Sequence, residues 1–522
     1  MDIVIPAFGE TQYGDVMSNR NTRVVNISGV KASLLEKYCA LLEANGCIQK
    51  EIYQEGNHSY AAYAQGNKGY FLNYYGGLEE LNIAIEENCG YFTFDAGSGE
   101  AVVEPQITQV YLVDFGMSYV IRISDGRFIV IDGGWGFEPD VDELLRVLKA
   151  GAPDGKPVVA AWFLTHPHRD HYLGFAEFIA RYPNEAEIQK VMMNFPEPDN
   201  LQRYPGMAKE DRRVENTAAV NRVPQMIRRI HALGIPVYEP HTGQRYQIGD
   251  ASCQILSCLD DTILIPETDL NPASLVVRME LGGQVILWTA DTAFSASRLS
   301  ERYGHYLKAD ILQVPHHGFQ SGTAEGEIAG YELVKPRVCL LPAADYLAYT
   351  GYCIHKQGTN YLMTKLGIDE LIAGDATRTL TLPYIPADYK KAELAQKVLS
   401  GLDNCGACTW IFTDLHTTDS EDFVFSFLNT AYVTAEVNID LYFDEPGRQL
   451  SCIKATLPAK SFQKLCIIDG NDVLTNTAYF NFNRLDIKGI PENATFAVRF
   501  ISNLPVVISH PKHKAAYSSV NR

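Results

Sequence analysis

The chain has 522 residues, 46% of them hydrophobic and 20% charged, with 44 Lys plus Arg against 63 Asp plus Glu for a formal net charge of −19. Single cores stop growing near ~250–300 residues, so this length requires two or three domains, and the composition excludes a chain that is largely disordered. A surface this acidic repels phosphate backbones and anionic membranes at long range, which argues against nucleic acid as a partner; the basic pairs Arg212-Arg213 and Arg228-Arg229 read as solvated faces.

The N-terminal run Met1-Asp2-Ile3-Val4-Ile5-Pro6 has no basic stretch leading into an apolar one, and no ~18-residue uncharged apolar run occurs anywhere, so the expectation is a cytoplasmic protein without a membrane span. Eleven scattered cysteines suit reduced thiols better than a disulfide framework. The single close pair, Cys405 and Cys408, is weak both as a zinc site and as a redox motif.

In chain order, residues 1–105 read as a small α+β unit. Leu34, Leu35, Tyr38, Leu41 and Leu42 fall on one face of a helix over 31–45 that Gly46 closes, and short aromatic strands follow at Tyr60–Tyr63 and Tyr70–Tyr75. Residues 106–385 alternate strands with helices, the signature of an α/β layered domain. A hairpin pairs Tyr119–Ile123 with Phe128–Ile131 across Asp125-Gly126; helices are expected near 140–149, 173–181 and 217–233, and strands near 157–164, 274–280, 284–289 and 308–314. Residues 386–522 begin with a helical stretch near 388–401 and continue as period-two runs at 433–442, 477–482 and 495–501, which suggests a β-sandwich. Sugar binding and dimerisation both suit such a domain, and exposed Tyr479 or Phe480 could serve either, core packing being the plainer reading.

The chemistry is concentrated where the apolar strand Val158–Leu164 runs into Thr165-His166-Pro167-His168-Arg169-Asp170-His171. Imidazoles and carboxylates suit zinc, iron or manganese, and a strand that stops at a loop can aim alternate side chains at one point. His166 and His168 can serve one metal, Asp170 and His171 a second. Three further strand ends carry matching groups in order: Asp132 after Ile129-Val130-Ile131, Asp291 after Val285–Ala290, and His316-His317-Gly318 after Asp310–Pro315.

These four elements resemble the metallo-β-lactamase superfamily, whose HxHxDH signature the first run matches. The ending Asp310-Ile311-Leu312-Gln313-Val314-Pro315-His316-His317-Gly318, with Asn271-Pro272-Ala273-Ser274-Leu275-Val276, resembles the branch that holds the hydrolase domains of DNA-uptake competence proteins and the phosphorylcholine esterases. The resemblance, which covers about residues 106–385, implies an α/β fold, a four-layer αββα sandwich; the small N-terminal α+β unit and the C-terminal β-sandwich that flank it are read from the residue pattern alone. It further implies a hydrolase with two divalent ions, zinc first and manganese or iron as alternatives. By the same resemblance His166, His168, Asp170, His171, Asp291 and His317 are the metal ligands, Asp291 bridges, and Asp132 orients the ligand loop. Metal-activated hydroxide would then attack a small or polymeric phosphoester, a diester first. His316 would be free to protonate the leaving group, and His355 and Lys356 to hold an anionic group.

The sequence departs from the family pattern at three places. No third histidine is evident for the side built on His166 and His168, with Asn194, His241 or a water as candidates to fill in. The segment after the histidine pair reads Phe319-Gln320-Ser321-Gly322, and Lys356 follows His355 where the branch carries proline. A lactone, thioester or amide hydrolase on the same site, and a binding protein with a degenerate site, stand as alternatives. A homo-oligomer is also open.

Overall fold

The computed structural model describes residues 10–15, 22–89, 100–196, 213–264, 270–318, 327–343, 366–391 and most of 407–518, apart from isolated positions within these ranges. The chain divides into two compact units, residues 1–343 with 370–386, and residues 344–369 with 387–522.

The first unit contains two facing sheets that hold the four motif-bearing strand ends. One runs in the order Val237–Tyr238, Val191–Met192, Val158–Phe163, Phe128–Asp132, Ser118–Arg122, Gln106–Gln109, Arg378–Thr381. The other runs Arg245–Ile248, Ala251–Ser257, Val276–Leu281, Gln284–Trp288, Ile311–Gln313, Val338–Leu341, Glu370–Ala373. In the first sheet, Phe128–Asp132 and Val158–Phe163 are buried on both faces and therefore read as continuous apolar runs. The period of two decides which side chain goes where. Ile129 and Ile131 join Tyr119, Ile121, Phe163, Val277, Met279, Ile286 and Trp288 in the core between the sheets. Phe128, Val130 and Trp162 point the other way, into a core built with the helices Glu138–Gly151, Arg169–Arg181 and Arg213–Ala232. Helix Glu138–Gly151 shows the sequence cause most plainly: Pro139 opens it, Glu138 and Asp140 sit in its first turn, and Val141, Leu144, Leu145 and Leu148 form its buried stripe. The parallel connections after Gln284–Trp288 carry the shorter helices Leu299–Tyr303 and Ile328–Val334. The result is the expected αββα sandwich with additional sheet structure.

Residues 10–86 add a six-stranded antiparallel sheet whose consecutive strands Ile48–Glu55, His58–Gln65, Lys68–Tyr75 and Glu80–Glu86 form a meander. Helix Ser33–Ala44 packs Leu34, Leu35, Tyr38 and Leu42 on one face of it. The sheet also meets the turn at residues 241–245. Tyr53 donates its hydroxyl to the Gly243 carbonyl at 2.6 Å, Asn73 donates to the Thr242 carbonyl at 2.9 Å, and Arg245 pairs with Glu55. Gly243 has no alternative here, because a Cβ at its positive φ would lie 2.2 Å from the Tyr60 ring.

His241 is fully buried in this contact, with Nδ1 2.7 Å from Asp260 Oδ2, Nε2 2.9 Å from Glu86 Oε2, and its ring stacked on Phe71. Burial opposes its charge, yet Asp260 and Glu86 together raise its pKa from 6.5 to about 10. A histidine raised on folding contributes stability in full below about pH 6.5 and loses it as pH climbs through about 10. Urea unfolding is therefore expected to show the stability difference between wild type and His241→Gln shrinking from pH 7 to pH 10. A difference that stays constant over that range would contradict the buried ion triad.

The second unit is rich in antiparallel strands. Its organising element is the 15-residue strand Thr495–Ser509, which pairs with Ala435–Phe443 and Ala407–His416 and, through its last residues, with Val424–Asn429. Val437, Ile439, Leu441, Phe496, Val498 and Phe500 form its buried interior. Tyr479, Phe480, Cys405 and the expected strand at 477–482 lie outside the described residues, as does most of the expected helix at 388–401. Among the described residues, no helix is long and apolar enough to cross a membrane.

Candidate metal centre

All the motif residues of the four strand ends converge. Strand Phe128–Asp132 ends on Asp132 in the left-handed region (φ 55°), as do Ala290 (φ 49°), His316 (φ 48°) and His317 (φ 52°) at the ends of the other strands. Non-glycine residues held there cost of order 1–3 kcal/mol each and persist only where the surroundings over-determine them. Four of the nine non-glycine residues with positive φ among the described residues lie at these strand ends.

Asp132 is the organiser. It is completely buried and accepts hydrogen bonds from the Thr165 amide (2.8 Å), the Thr165 hydroxyl (2.7 Å) and His171 Nδ1 (2.7 Å). With its Nδ1 hydrogen given to a carboxylate, a neutral His171 turns its Nε2 lone pair to the centre. The Thr165 hydroxyl, its own hydrogen committed to Asp132, lies 3.1 Å from His166 Nδ1 and accepts from it, so Asp132 orients His166 as well. His317 is fixed by the same logic through the Pro342 carbonyl, 3.1 Å from its Nδ1.

Two groups of buried ligand atoms result, each within 4.8 Å: Asp170, His171, Asp291 and His317 in one, His166, His168 and Asp291 in the other. Asp291 belongs to both. Its Oδ2 lies 3.2 Å from His171 Nε2 and 3.7 Å from His166 Nε2, and its Oδ1 lies 3.3 Å from His317 Nε2. His317 Nε2 is 3.1 Å from Asp170 Oδ2 and 3.2 Å from His171 Nε2.

The donor set fits a cation. His166 Nε2 is buried without a hydrogen-bond partner among the described residues, a costly arrangement for a ring nitrogen unless something else accepts its lone pair. Burial pushes the His166 pKa well below the ordinary value, aided by the neighbouring His171 and His168, which keeps the ring neutral and ready to ligate. Burial opposes charge on His171 and His317 too, but Asp291 and the other carboxylates raise the first well above the ordinary range and the second to about 9. Burial likewise opposes charge on Asp291, yet the same two histidines hold it well below the usual carboxylate range. Without a cation, protons balance the carboxylates, and ligand binding of a metal would displace them.

The loop is pinned by a close approach of backbone. Gly133 donates to the His171 carbonyl and Gly174 to the Gly134 carbonyl, both at 2.8 Å, and a Cβ on Gly174 would sit 1.7 Å from the Gly133 oxygen. Gly174→Ala is therefore expected to force Asp132 out of register, at a cost on the order of 3 kcal/mol or more, together with loss of bound metal. Chemical denaturation and elemental analysis of the variant check both.

His316 differs from the rest of the set. Its side chain is 23% exposed, its Nε2 lies 3.2 Å from the Asn271 amide nitrogen and 3.9 Å from Asp291 Oδ2, and it joins neither ligand group. His355 and Lys356 lie outside the described residues, as do Phe319 to Gly322. Of the candidates for a third ligand beside His166 and His168, His241 has both ring nitrogens committed to Glu86 and Asp260. Asn194 points its amide nitrogen at the Pro240 carbonyl and Asp260 and leaves its Oδ1 buried without a hydrogen-bond partner among the described residues, while His241 enters neither ligand group. Sequence reasoning had no role for Thr165, the Pro342 carbonyl or the aromatic wall beside His317. There Phe115 meets the His317 ring edge-on at 5.4 Å, Trp135 donates to the Phe115 carbonyl, and Arg169 lies over Trp135. Arg169 sits inside the histidine motif and Trp135 directly follows Gly133-Gly134, positions that would have drawn attention.

Residues 111–325 match the metallo-beta-lactamase superfamily. No curated protein matches the chain. Among solved structures, the chain is similar to the Anabaena sensory rhodopsin transducer, at 20% identity over 21% of this chain and 86% of that one with a TM-score of 0.16. It is similar to Thermotoga maritima 1070, at 18% identity over 22% and 92% with a TM-score of 0.14. It is also similar to the flavodiiron protein from Giardia intestinalis, at 12% identity over 57% and 60% with a TM-score of 0.23.

Proposed function

Starting from a metallo-β-lactamase superfamily domain over residues 111–325, we propose that this protein is a metal-dependent hydrolase acting on a phosphoester, a diester of a small or polymeric substrate in the first instance. One observation carries the proposal: two buried ligand groups share the carboxylate of Asp291 while a partly exposed histidine stands beside them. His166, His168 and Asp291 would hold one divalent ion, and Asp170, His171, Asp291 and His317 the other, zinc suiting this mixture of imidazole and carboxylate best. Such ions, when bound, lower the pKa of a water toward 7 and neutralise charge growing on a substrate oxygen.

The chain's own residues do the rest. Asp132 and Thr165 hold the His171 and His166 rings in the tautomer that presents Nε2, and the Pro342 carbonyl does so for His317. Phe115 and Trp135 keep one side of the centre apolar, while Arg169 lies on the same wall. His316, exposed where the ligands are not, would carry the proton delivered to the leaving oxygen. A positioned acid of this kind contributes roughly 10²–10⁴-fold, so His316→Gln is expected to lower kcat by that much while metal content stays at the wild-type level. Loss of metal in that variant would place His316 among the ligands instead.

A panel of chromogenic phosphodiesters, phosphomonoesters, lactones and thioesters tests the substrate class. Turnover highest on diesters supports the proposal, and turnover confined to lactones or thioesters replaces it with acyl hydrolysis on the same residues.

A further inference from the structure

A second polar pocket lies in the same unit, away from the metal centre. It encloses about 160 Å³ between helix Glu138–Gly151 and the sheet edge formed by Ser118–Arg122, Gln106–Gln109 and Arg378–Thr381. The strand register separates it from the motif residues: Ser118 pairs with Asp132, whereas Arg122 pairs with Phe128, four residues and about 14 Å further along at ~3.4 Å per residue.

Its lining is unusual for a cleft between a helix and a sheet. Arg122, Arg146, Gln106, Thr108, Thr377 and Thr379 all face it. Arg146 is neutralised within its own helix, its Nε and Nη2 each lying 2.6 Å from an oxygen of the Glu143 carboxylate. Arg122 has no such partner: among the described residues it makes no ion pair, and its Nε is buried without a hydrogen bond. A guanidinium left this way carries the full desolvation cost of that N–H, which a structural arginine avoids by pairing. The hydroxyls beside it have hydrogen to give. Thr108 and Thr379 share one bond at 2.9 Å, which uses one of their two hydroxyl hydrogens and leaves the other to donate elsewhere.

We propose that this pocket binds a small tetrahedral oxyanion, phosphate or sulfate. The Arg122 guanidinium would supply charge and a fork of N–H donors, with hydroxyl donors from the Thr108–Thr379 pair completing the shell. The bound anion would tie three strands together, Ser118–Arg122, Gln106–Gln109 and the edge strand Arg378–Thr381, which arrives from a segment about 250 residues later in the chain. The site is independent of the reaction proposed above.

Thermal melting and calorimetric titration with sulfate, with phosphate, and with acetate and chloride at matched ionic strength test this on wild type, Arg122→Met, Thr379→Val and Asp291→Ala. Sulfate and phosphate are expected to raise Tm by several degrees in wild type and in Asp291→Ala, to do so with about ten-fold weaker binding in Thr379→Val, and to leave Arg122→Met unmoved. Without anion, Arg122→Met is expected to melt no lower than wild type, because an apolar side chain replaces an unpartnered charge. An equal sulfate response in Arg122→Met would overturn the proposal. So would a fall of several degrees in its anion-free Tm, which marks a structural arginine, or acetate binding as tight as sulfate, which marks a carboxylate pocket.

Discussion

Asp291→Ala is expected to strip the proposed pair of metal ions and to lower hydrolytic turnover by more than about 100-fold, beyond the 10–100-fold that loss of an outer-shell group typically costs. The reason is its shared position. No other side chain belongs to both ligand groups, and its two oxygens face His166, His171 and His317 from 3.2 to 3.7 Å. Truncation leaves His166 with no carboxylate among the ligands of its group and leaves Asp170 as the only one in the other. The carboxylate also balances the charge that His171 and His317 carry in the metal-free protein, so the variant is expected to lower both histidine pKa values, which NMR titration of the imidazoles would read. Turnover within a few-fold of wild type would show that Asp291 is a structural counterion and not a bridge.

The second large effect is expected at a residue that touches no metal. In Asp132→Asn the side chain keeps its volume, and its oxygen can still accept from the Thr165 amide, but an NH2 group then faces His171 Nδ1 and the Thr165 hydroxyl. His171 is driven to accept at Nδ1 and therefore to carry its proton on Nε2, the atom that must ligate. Metal affinity and activity are expected to fall about 10–100-fold, with the group around His171 and His317 losing its ion before the group around His166. Because Asp132 reaches His166 through Thr165, Thr165→Val should reproduce the weaker half of the defect, lowering occupancy at His166 and His168 while leaving His171 in place. Competitive metal titration of the two variants separates these outcomes. Equal loss from both groups in each variant would contradict the division of labour.

Much of this centre was legible in the primary structure because strand ends advertise themselves. An apolar run followed at once by His or Asp marks where such a side chain sits, which is why the run from His166 to His171 could be named from the residues themselves and Asp132, Asp291 and His317 from their match to the family pattern. The need for Gly133 and Gly174 against each other is shown only by the structure. What could not be read are the partnerships made across the fold. His241 stood as a candidate third ligand until Glu86, 155 residues away, was found on one nitrogen and Asp260 on the other. Its neighbours in sequence, Pro240 and Thr242, carry no trace of that ion triad. Thr165 was visible only as the residue before the first histidine, and its role depends on the orientation of a hydroxyl that no spacing rule addresses. A layered α/β domain was legible from alternating strands and helices, and its αββα arrangement from the family resemblance. The sharing of Thr495–Ser509 among several partner strands was not, because a 15-residue strand and two shorter ones look alike in period-two polarity.

The central claim is that Asp291 joins two metal positions built from buried side chains already in place. Its most direct measurement is the metal content per chain of purified protein after equilibration with zinc, compared between wild type, Asp291→Ala and His166→Ala/His168→Ala. Close to two ions are expected in wild type, close to one in the double histidine variant, and fewer than one in Asp291→Ala. Two ions retained in Asp291→Ala, or none in wild type, would contradict that claim.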